Sequence, residues 1–466
     1  MKIKNLKAPN TFLLIFLLLA ATAILTWVIP GGEYKRENIN GREVVVESSF
    51  NYTDKNPQNI NDILTAPIKG FTDAALIIGF VFIVGGAFEV FRKTEAVDAA
   101  VFGIVKLHNK SPFIRKLLVP LLMIIFSLAG SVFGMSEEVI PFILICVPLA
   151  LMLGYDSITG VAIPFVGAGA GFAGAFLNPF TVGIAQGIAD IPLFSGIEYR
   201  IVVWVVVTSI AVLYVVKYAE KIKKNPELSL TYELDIERRK NIDISGFENH
   251  KGLSGKDKLV LITFLTGIII LVFGVLTYGW YIEEISAVFL ATGILVGFIG
   301  KLSINEITSS FVKGAKDLLG TALIIALARG ILIIAQDGKI IDTILYNLSK
   351  PVSEFHPVIS SQVMFVIQTF INFFVPSGSG QAALTMPVMT PLADIVGVTR
   401  QTAVLAFQFG DGFSNLIIPT SAVTMGVLAL ADIPWEKWAR WVLKLEVLFF
   451  IAALILLIPP YLLGWN

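Results

Sequence analysis

Apolar runs long enough to cross a bilayer recur along almost the whole chain, broken by only two long polar stretches. A membrane helix needs about 20 mainly apolar residues. On that rule crossings are predicted at 11–29, 72–91, 113–133, 157–186, 199–217, 257–278, 282–300, 316–335, 359–375, 400–428 and 437–463, about eleven in all. The first run, Thr11 to Ile29, exceeds the roughly 7–15-residue core of a cleaved leader and is read as a membrane helix. Two further apolar stretches, 134–153 and 376–395, are interrupted by glycine, serine and proline. They are too broken for ordinary spans and too apolar for loops, so they are read as re-entrant hairpins.

The polar stretches divide the chain. Within 30–66, the run VVVES (44–48), flanked by Gly and Asn, predicts a small β-hairpin. The stretch 218–256 is dense in charge and is expected to be a cytoplasmic linker between a first transmembrane half, 1–217, and a second, 257–466. Lys217, Lys221, Lys223, Lys224, Arg238, Arg239 and Lys240 place it inside by the positive-inside rule, and Lys2, Lys4 and Lys7 argue the same for the start. Trp204, Trp280, Trp435, Trp438 and Trp441 lie near segment ends, as interfacial anchors do.

The halves resemble each other. Laying 134–161 over 377–404 puts Gly134-Met135-Ser136-Glu137-Glu138 on Ser377-Gly378-Ser379-Gly380-Gln381, with Pro148 on Pro391, Gly154 on Gly397 and Thr159 on Thr402. Further on, Gly169-Ala170-Gly171-Phe172 meets Gly410-Asp411-Gly412-Phe413, and both halves reach the same four residues, Ala189-Asp190-Ile191-Pro192 and Ala431-Asp432-Ile433-Pro434. Upstream, Gly86 and Asp98 match Gly330 and Asp342. Each half thus predicts a hairpin followed by a helix unwound at its glycines, around 169–174 and 410–415, and again at a proline. Freed backbone groups inside a bilayer must be satisfied by protein, water or ligand, and paired breaks of this kind mark the sites of secondary transporters. The competing reading is that the glycines only let helices pack closely.

Composition narrows the class. Of 466 residues 55% are hydrophobic and 15% charged, with a mean hydropathy of +0.79, against roughly a quarter charged in soluble domains. Lys+Arg and Asp+Glu both number 35, which gives no basic face for nucleic acid. The lone cysteine, Cys146, excludes a disulfide framework. His108, His250 and His356 form no HExxH spacing, and GxxxxGK[ST] is absent, so neither a zinc hydrolase nor an ATP-driven pump is supported. No nucleophile–base constellation falls at membrane depth, and an enzyme is disfavoured.

The residues WVIPGGEY (27–34), TAPIKGFTDAALIIGFVFIVGGAF (65–88), GMSEE (134–138), VPSGSGQAA (375–383) and FGDGFSN with PTS (409–421) resemble the ion transporter superfamily. Within it the chain is similar to the anaerobic four-carbon-dicarboxylate carrier-like family, and most to its basic amino acid antiporter branch. The resemblance covers nearly the whole chain. It implies inverted halves, each with a scaffold part and a moving, hairpin-bearing part, and a homodimer. Five crossings, a central helix and five more would instead set both halves the same way up. One crossing is therefore miscounted, with 92–113 and 157–186 the candidate places.

Intramembrane charges are functional candidates by default. Glu137 and Glu138 sit at the first hairpin, Asp411 in the second glycine pair and Arg329 inside LIIALARGILII. Arg329 has an equally good reading as the partner of a carboxylate. Ser136, Ser377, Ser379 and Gln381 at the tips, and Asn178, Thr181, Ser414, Asn415, Thr420 and Ser421 along the broken helices, supply hydroxyls and amides for a carboxylate or Na⁺. The carbonyls of Gly134, Gly171, Gly378 and Gly412 are candidate Na⁺ ligands. Three acids against one arginine point to a cationic group that also enters: a substrate ammonium, Na⁺ or H⁺. The expectation is an all-α, multi-pass carrier of the cytoplasmic (inner) membrane. It would move amino acids, basic ones foremost, by exchange or ion coupling and an elevator-like motion, with no cofactor beyond a coupling Na⁺ or H⁺. The alternative is a Na⁺- or H⁺-coupled carrier of four-carbon dicarboxylates.

Overall fold

The computed structural model describes residues 11–39, 42–46, 48–241 and 253–465. Helix α1 (Thr11–Val28) leads into four short strands, β1 (Gly32–Glu33), β2 (Arg36–Ile39), β3 (Arg42–Val45) and β4 (Asn51–Tyr52). Strand β2 pairs antiparallel with β3, and β1 with β4, so the expected hairpin forms. Helices α2 (Ile60–Asp73), α3 (Ala75–Lys93), α4 (Ala96–Lys110) and α5 (Pro112–Phe133) follow. Next come a 3₁₀ turn over Glu137–Phe142, α6 (Ile143–Met152), α7 (Ser157–Ala173), a π turn over Pro179–Gly183, α8 (Ile184–Ile188), α9 (Ile197–Lys224) and α10 (Tyr232–Asn241). The rest comprises α11 (Gly255–Tyr278), α12 (Ile282–Ile299), α13 (Ile304–Asp317), α14 (Leu319–Asp337), α15 (Ile341–Ser349) and α16 (Pro357–Phe374). It ends with α17 (Gly378–Val396), α18 (Arg400–Ser414), α19 (Ala422–Leu430), α20 (Trp435–Leu456) and α21 (Pro459–Leu463).

Among the described residues, eight helices are long and apolar enough to cross a membrane: α3, α5, α9, α11, α12, α14, α16 and the α20–α21 run. The chain is a multi-pass membrane protein. The cross-packing is reciprocal: α2 and α1 lie on α14, while α13 and α12 lie on α3. At the centre α7 packs on α18, with α5 and α6 against α7 and with α16 and α17 against α18.

Local chemistry sets the ends. Ser111 caps α5 by accepting from Ile114 N at 3.4 Å, and Pro112 supplies the N1 position. Asp156 caps α7 through Thr159 N at 2.8 Å. The α5 helix stops where Gly134 turns left-handed at φ 74°, a conformation that costs glycine nothing.

Two expectations are corrected. The glycines do not unwind their helices: α7 runs unbroken through Gly169 and Gly171, and α18 through Gly410 and Gly412. Their role is close approach. A Cβ on Gly171 would fall on the Ser127 carbonyl of α5, and one on Gly412 would meet Ala173 Cα at 2.5 Å. The breaks come after the glycines, at 174–178 before Pro179 and at 415–421 around Pro419. Nor is 376–395 interrupted, since α17 continues through Pro387 and Pro391.

The two ends of the molecule differ. At one, the strands clasp the end of α14: Gly32 N donates to Lys339 O at 3.0 Å, Asn56 Nδ2 to Asp337 O at 2.8 Å, and Arg36 pairs with Asp342 at 2.8 Å. At the other, the described part of the 218–256 segment is fastened down. Arg238 donates to Ser157 Oγ at 2.6 Å and to Asp432 O at 3.0 Å, Arg239 donates to Tyr155 O at 2.6 Å, and Tyr218 and Ser229 both donate to Asp156 at 2.6 Å. Lys2, Lys4 and Lys7 lie outside the described residues, as does His250.

Candidate functional site

The two tips and the two breaks converge on a central cavity of about 220 Å³. The turn between α5 and α6 brings Gly134, Ser136, Glu137 and Glu138, and the turn between α16 and α17 brings Ser377, Gly378 and Ser379. Thr181 comes from the first break, and Asn415, Thr420 and Ser421 come from the second. Thus most of the residues singled out from the sequence line one space.

The tips are shaped by their own polar groups. Glu138 is buried and accepts from Ser136 N at 2.9 Å, which closes the first tip. Ser377 caps α17 by accepting from Gly380 N at 3.4 Å. Asn178, fully buried, accepts from Phe180 N at 2.9 Å and so starts the π turn; its Oδ1 would lie 2.5 Å from a Cβ on Gly134. The first break and the first tip therefore touch.

Asp411 lies behind the second tip, on the last turn of α18, and is fully buried. Its Oδ1 accepts from Asn415 Nδ2 at 3.1 Å, whereas Oδ2 has no partner among the described residues. That oxygen would lie 3.0 Å from a Cβ on Gly378, and the Thr181 methyl closes the same gap. The Asn178 amide nitrogen and the Thr181 and Thr420 hydroxyls are likewise buried and unpartnered. A buried polar atom without a partner is destabilising by about 1–3 kcal/mol, and of these four Thr181 and Thr420 line the cavity while Asn178 and Asp411 lie behind its wall.

Other residues fall elsewhere. Gln381 turns away from the cavity, donating to Gln368 O at 2.9 Å and Oε1 at 2.8 Å, while Gln368 donates to Thr385 at 2.9 Å. Gly171 and Gly412 sit at helix contacts and do not line the cavity, unlike Gly134 and Gly378. Ser414 donates back to Gly410 O at 2.6 Å. Arg329 does line the cavity, and its Nε is bonded to Asp73 Oδ2 of α2.

Sequence reasoning missed what holds the second break open. Asn372 of α16 donates its amide to Asp411 O at 3.1 Å and to Ser414 Oγ at 2.8 Å. Trp438 and Trp435 donate their indole N–H groups to Leu416 O and Ile417 O, both at 2.8 Å. Trp438 is fully buried, and Trp204 donates to Ser127 at 2.9 Å, so these tryptophans fasten neighbouring segments to one another. Their sequence signal was only nearness to a segment end, which fits that role and interfacial anchoring alike.

The chain is similar to known proteins along nearly its whole length. The chain is 36% identical to the Escherichia coli K12 protein named "Putative basic amino acid antiporter YfcC", over 98% of this chain and 97% of that one. It is 30% identical to an uncharacterised Haemophilus influenzae Rd protein over 98% and 97% of the two chains. Among solved structures, the YdaH transporter of Alcanivorax borkumensis aligns at a TM-score of 0.45 and 15% identity, covering 98% of this chain and 99% of that one. MtrF of Neisseria gonorrhoeae, from a class of antimetabolite efflux pumps, aligns at 0.44 and 18%, covering 97% and 95%. Residues 8–461 match the family described as DcuC, C4-dicarboxylate anaerobic carrier, and the chain belongs to that family of membrane transporters.

Proposed function

We propose that this protein is a secondary carrier that moves amino acids, basic ones foremost, across the inner membrane by exchange or ion coupling. The observation that carries the reading is the charge of the central site. Glu137 and Glu138 line the cavity, with the buried carboxylate of Asp411 behind them, against one arginine that already has a carboxylate partner. Such a site favours a substrate with an ammonium as well as a carboxylate, and the name of the E. coli relative points the same way.

The chain ends support an inverted topology. Arg115 of α5 is within electrostatic reach of Tyr155 and Lys223, so the α5–α6 arm returns to the linker end from which it starts. Pro357 and Gly397 are in contact distance, so the α16–α17 arm returns to its own starting end as well. On this reading α5 and α16 are hairpin arms and not crossings. Each half then has four crossings, formed by α1, α3, α7–α8 and α9 and by α12, α14, α18–α19 and α20. The single helix α11 between them turns the second half over, which removes the conflict that eleven crossings created. The basic linker end faces the cytoplasm. The hairpin-bearing parts move as elevators against the α3 and α14 scaffold, in a homodimer. Na⁺ or H⁺ is the coupling ion, and Asp411 with Thr181 is where it would sit.

The family's description favours a second reading, a four-carbon dicarboxylate carrier, and the hydroxyl-rich tips suit that substrate too. Uptake into proteoliposomes decides. Labelled arginine or ornithine is expected to enter and to exchange. If succinate or malate is carried while amino acids neither enter nor compete, the second reading replaces the first.

A further inference from the structure

A second cavity, of about 410 Å³, lies at the end that carries the strands, and Gly32, Glu33, Arg36, Lys339 and Asp342 contribute to its walls. It shares two residues with the central cavity, Arg329 and Ser377. These two side chains stand where the two spaces adjoin.

We propose that Arg329 forms a carboxylate-binding subsite at this neck, with Asp73 as its positioning residue. The inference rests on the carrier reading above, but not on which substrate class is carried. Three observations support it. First, Asp73 engages the guanidinium only through Nε, and among the described residues the two terminal nitrogens of Arg329 donate to no acceptor. A guanidinium presents two N–H edges, and a carboxylate pairs best with an edge that offers two parallel donors. The edge left over here is such a pair. Second, the arginine is pinned. Helix α2 packs so closely on α14 that a Cβ on Gly70 would fall on Ala326 O and lie 2.7 Å from Gly330 N, either side of Arg329. Asp73 closes the same helix, so its carboxylate and the guanidinium are held by one rigid contact. Third, the pair is open to the cavities, with side-chain exposures of 26% for Arg329 and 37% for Asp73. A purely structural ion pair has no need of a position in the neck. Across the neck, Ser377 and the carboxylate of Glu137 supply the opposite character. An amino acid can thus lie with its carboxylate on Arg329 and its ammonium toward the acids.

The test compares each acid with a partner that lacks the carboxylate: arginine with agmatine, and succinate with its diamide, succinamide. Affinities are measured from thermal shifts of the full-length protein in detergent. In Arg329→Gln the arginine-to-agmatine affinity ratio is expected to fall about ten-fold or more, with Arg329→Lys recovering part of it. Asp73→Ala, which frees the guanidinium to swing, is expected to lower the same ratio by a smaller factor. A merely structural pair would shift melting temperature in all variants and leave the ratio at the wild-type value; that result overturns the proposal. If only succinate binds, the amino acid reading fails while the subsite is still judged, by the succinate-to-succinamide ratio in Arg329→Gln. If neither acid stabilises the wild-type protein, both proposals fall together.

Discussion

Asp411 is the candidate residue with the sharpest test. Its carboxylate is fully buried and half-satisfied: Asn415 holds Oδ1, and Oδ2 faces Gly378 and Thr181 with no partner among the described residues. Its backbone carbonyl is held separately by Asn372, so the shape of the break does not depend on the side-chain charge. Asp411→Asn keeps the volume and removes that charge. The expected outcome is a loss of affinity for substrate or Na⁺ of about ten- to a hundred-fold, the value of a charge-assisted contact of roughly 1.5–3 kcal/mol. Melting temperature should change little. A carboxylate that only braced the helix end would give the reverse, a lower melting temperature with affinity intact. Wild-type affinity for both ligands in the variant rules out a binding role.

At the scale of elements, the repeated glycines were legible in the sequence but their purpose was not. Gly169-x-Gly171 and Gly410-x-Gly412 mark the core helices α7 and α18 correctly, yet the spacing is the same whether glycine frees backbone groups or lets helices touch. Only the neighbours decide, and they lie far off in sequence: Ser127 against Gly171, Ala173 against Gly412. The candidate residues that line the central cavity were legible because charge and hydroxyls inside apolar runs stand out from composition alone. The amphipathic α2, α13 and α15 were not placed, since none is long and apolar enough to register as a span, and α4 entered only as a candidate miscounted crossing within 92–113. Nor was Asp73 recognised as the partner of Arg329, a pairing across 256 residues. The packing role makes a prediction. Gly171→Ala pushes a methyl into the Ser127 backbone and should cost about 1–3 kcal/mol as overpacking, read as a lower melting temperature. Gly103 of α4 has nothing within 4 Å of its would-be Cβ, so Gly103→Ala should hold or raise the melting temperature by removing glycine's entropy cost of about 0.5–1 kcal/mol. Equal behaviour of the two variants would remove the close-packing explanation.

For the whole molecule, the decisive question is which way each hairpin points. A carrier with inverted halves exposes its site to one side through one hairpin and to the other side through the second. The α5–α6 arm belongs to the end that Arg238, Arg239 and Tyr218 fasten, and the α16–α17 arm to the end where the strands clasp α14. The central cavity and the cavity at the strand end have Arg329 and Ser377 in common, so the two spaces adjoin on the side away from the linker. Cysteine labelling tests the arrangement directly. Cys146 is the only native cysteine and is buried, so Cys146→Ala gives a silent background. Into it go single cysteines at four exposed positions: Asp54 at the strand end, Glu227 at the linker end, Lys116 on the first arm and Ile395 on the second. In intact cells a membrane-impermeant maleimide should label the Asp54 and Ile395 sites, while the Glu227 and Lys116 sites react only once the membrane is opened. Two crossings' worth of error anywhere in the first half would leave Asp54 and Glu227 unchanged but could not place Lys116 with Glu227 and Ile395 with Asp54 unless each hairpin returns to its own side. Labelling of Lys116 and Ile395 from the same side would refute the inverted halves, and with them the idea that the two hairpins open the site alternately to opposite faces.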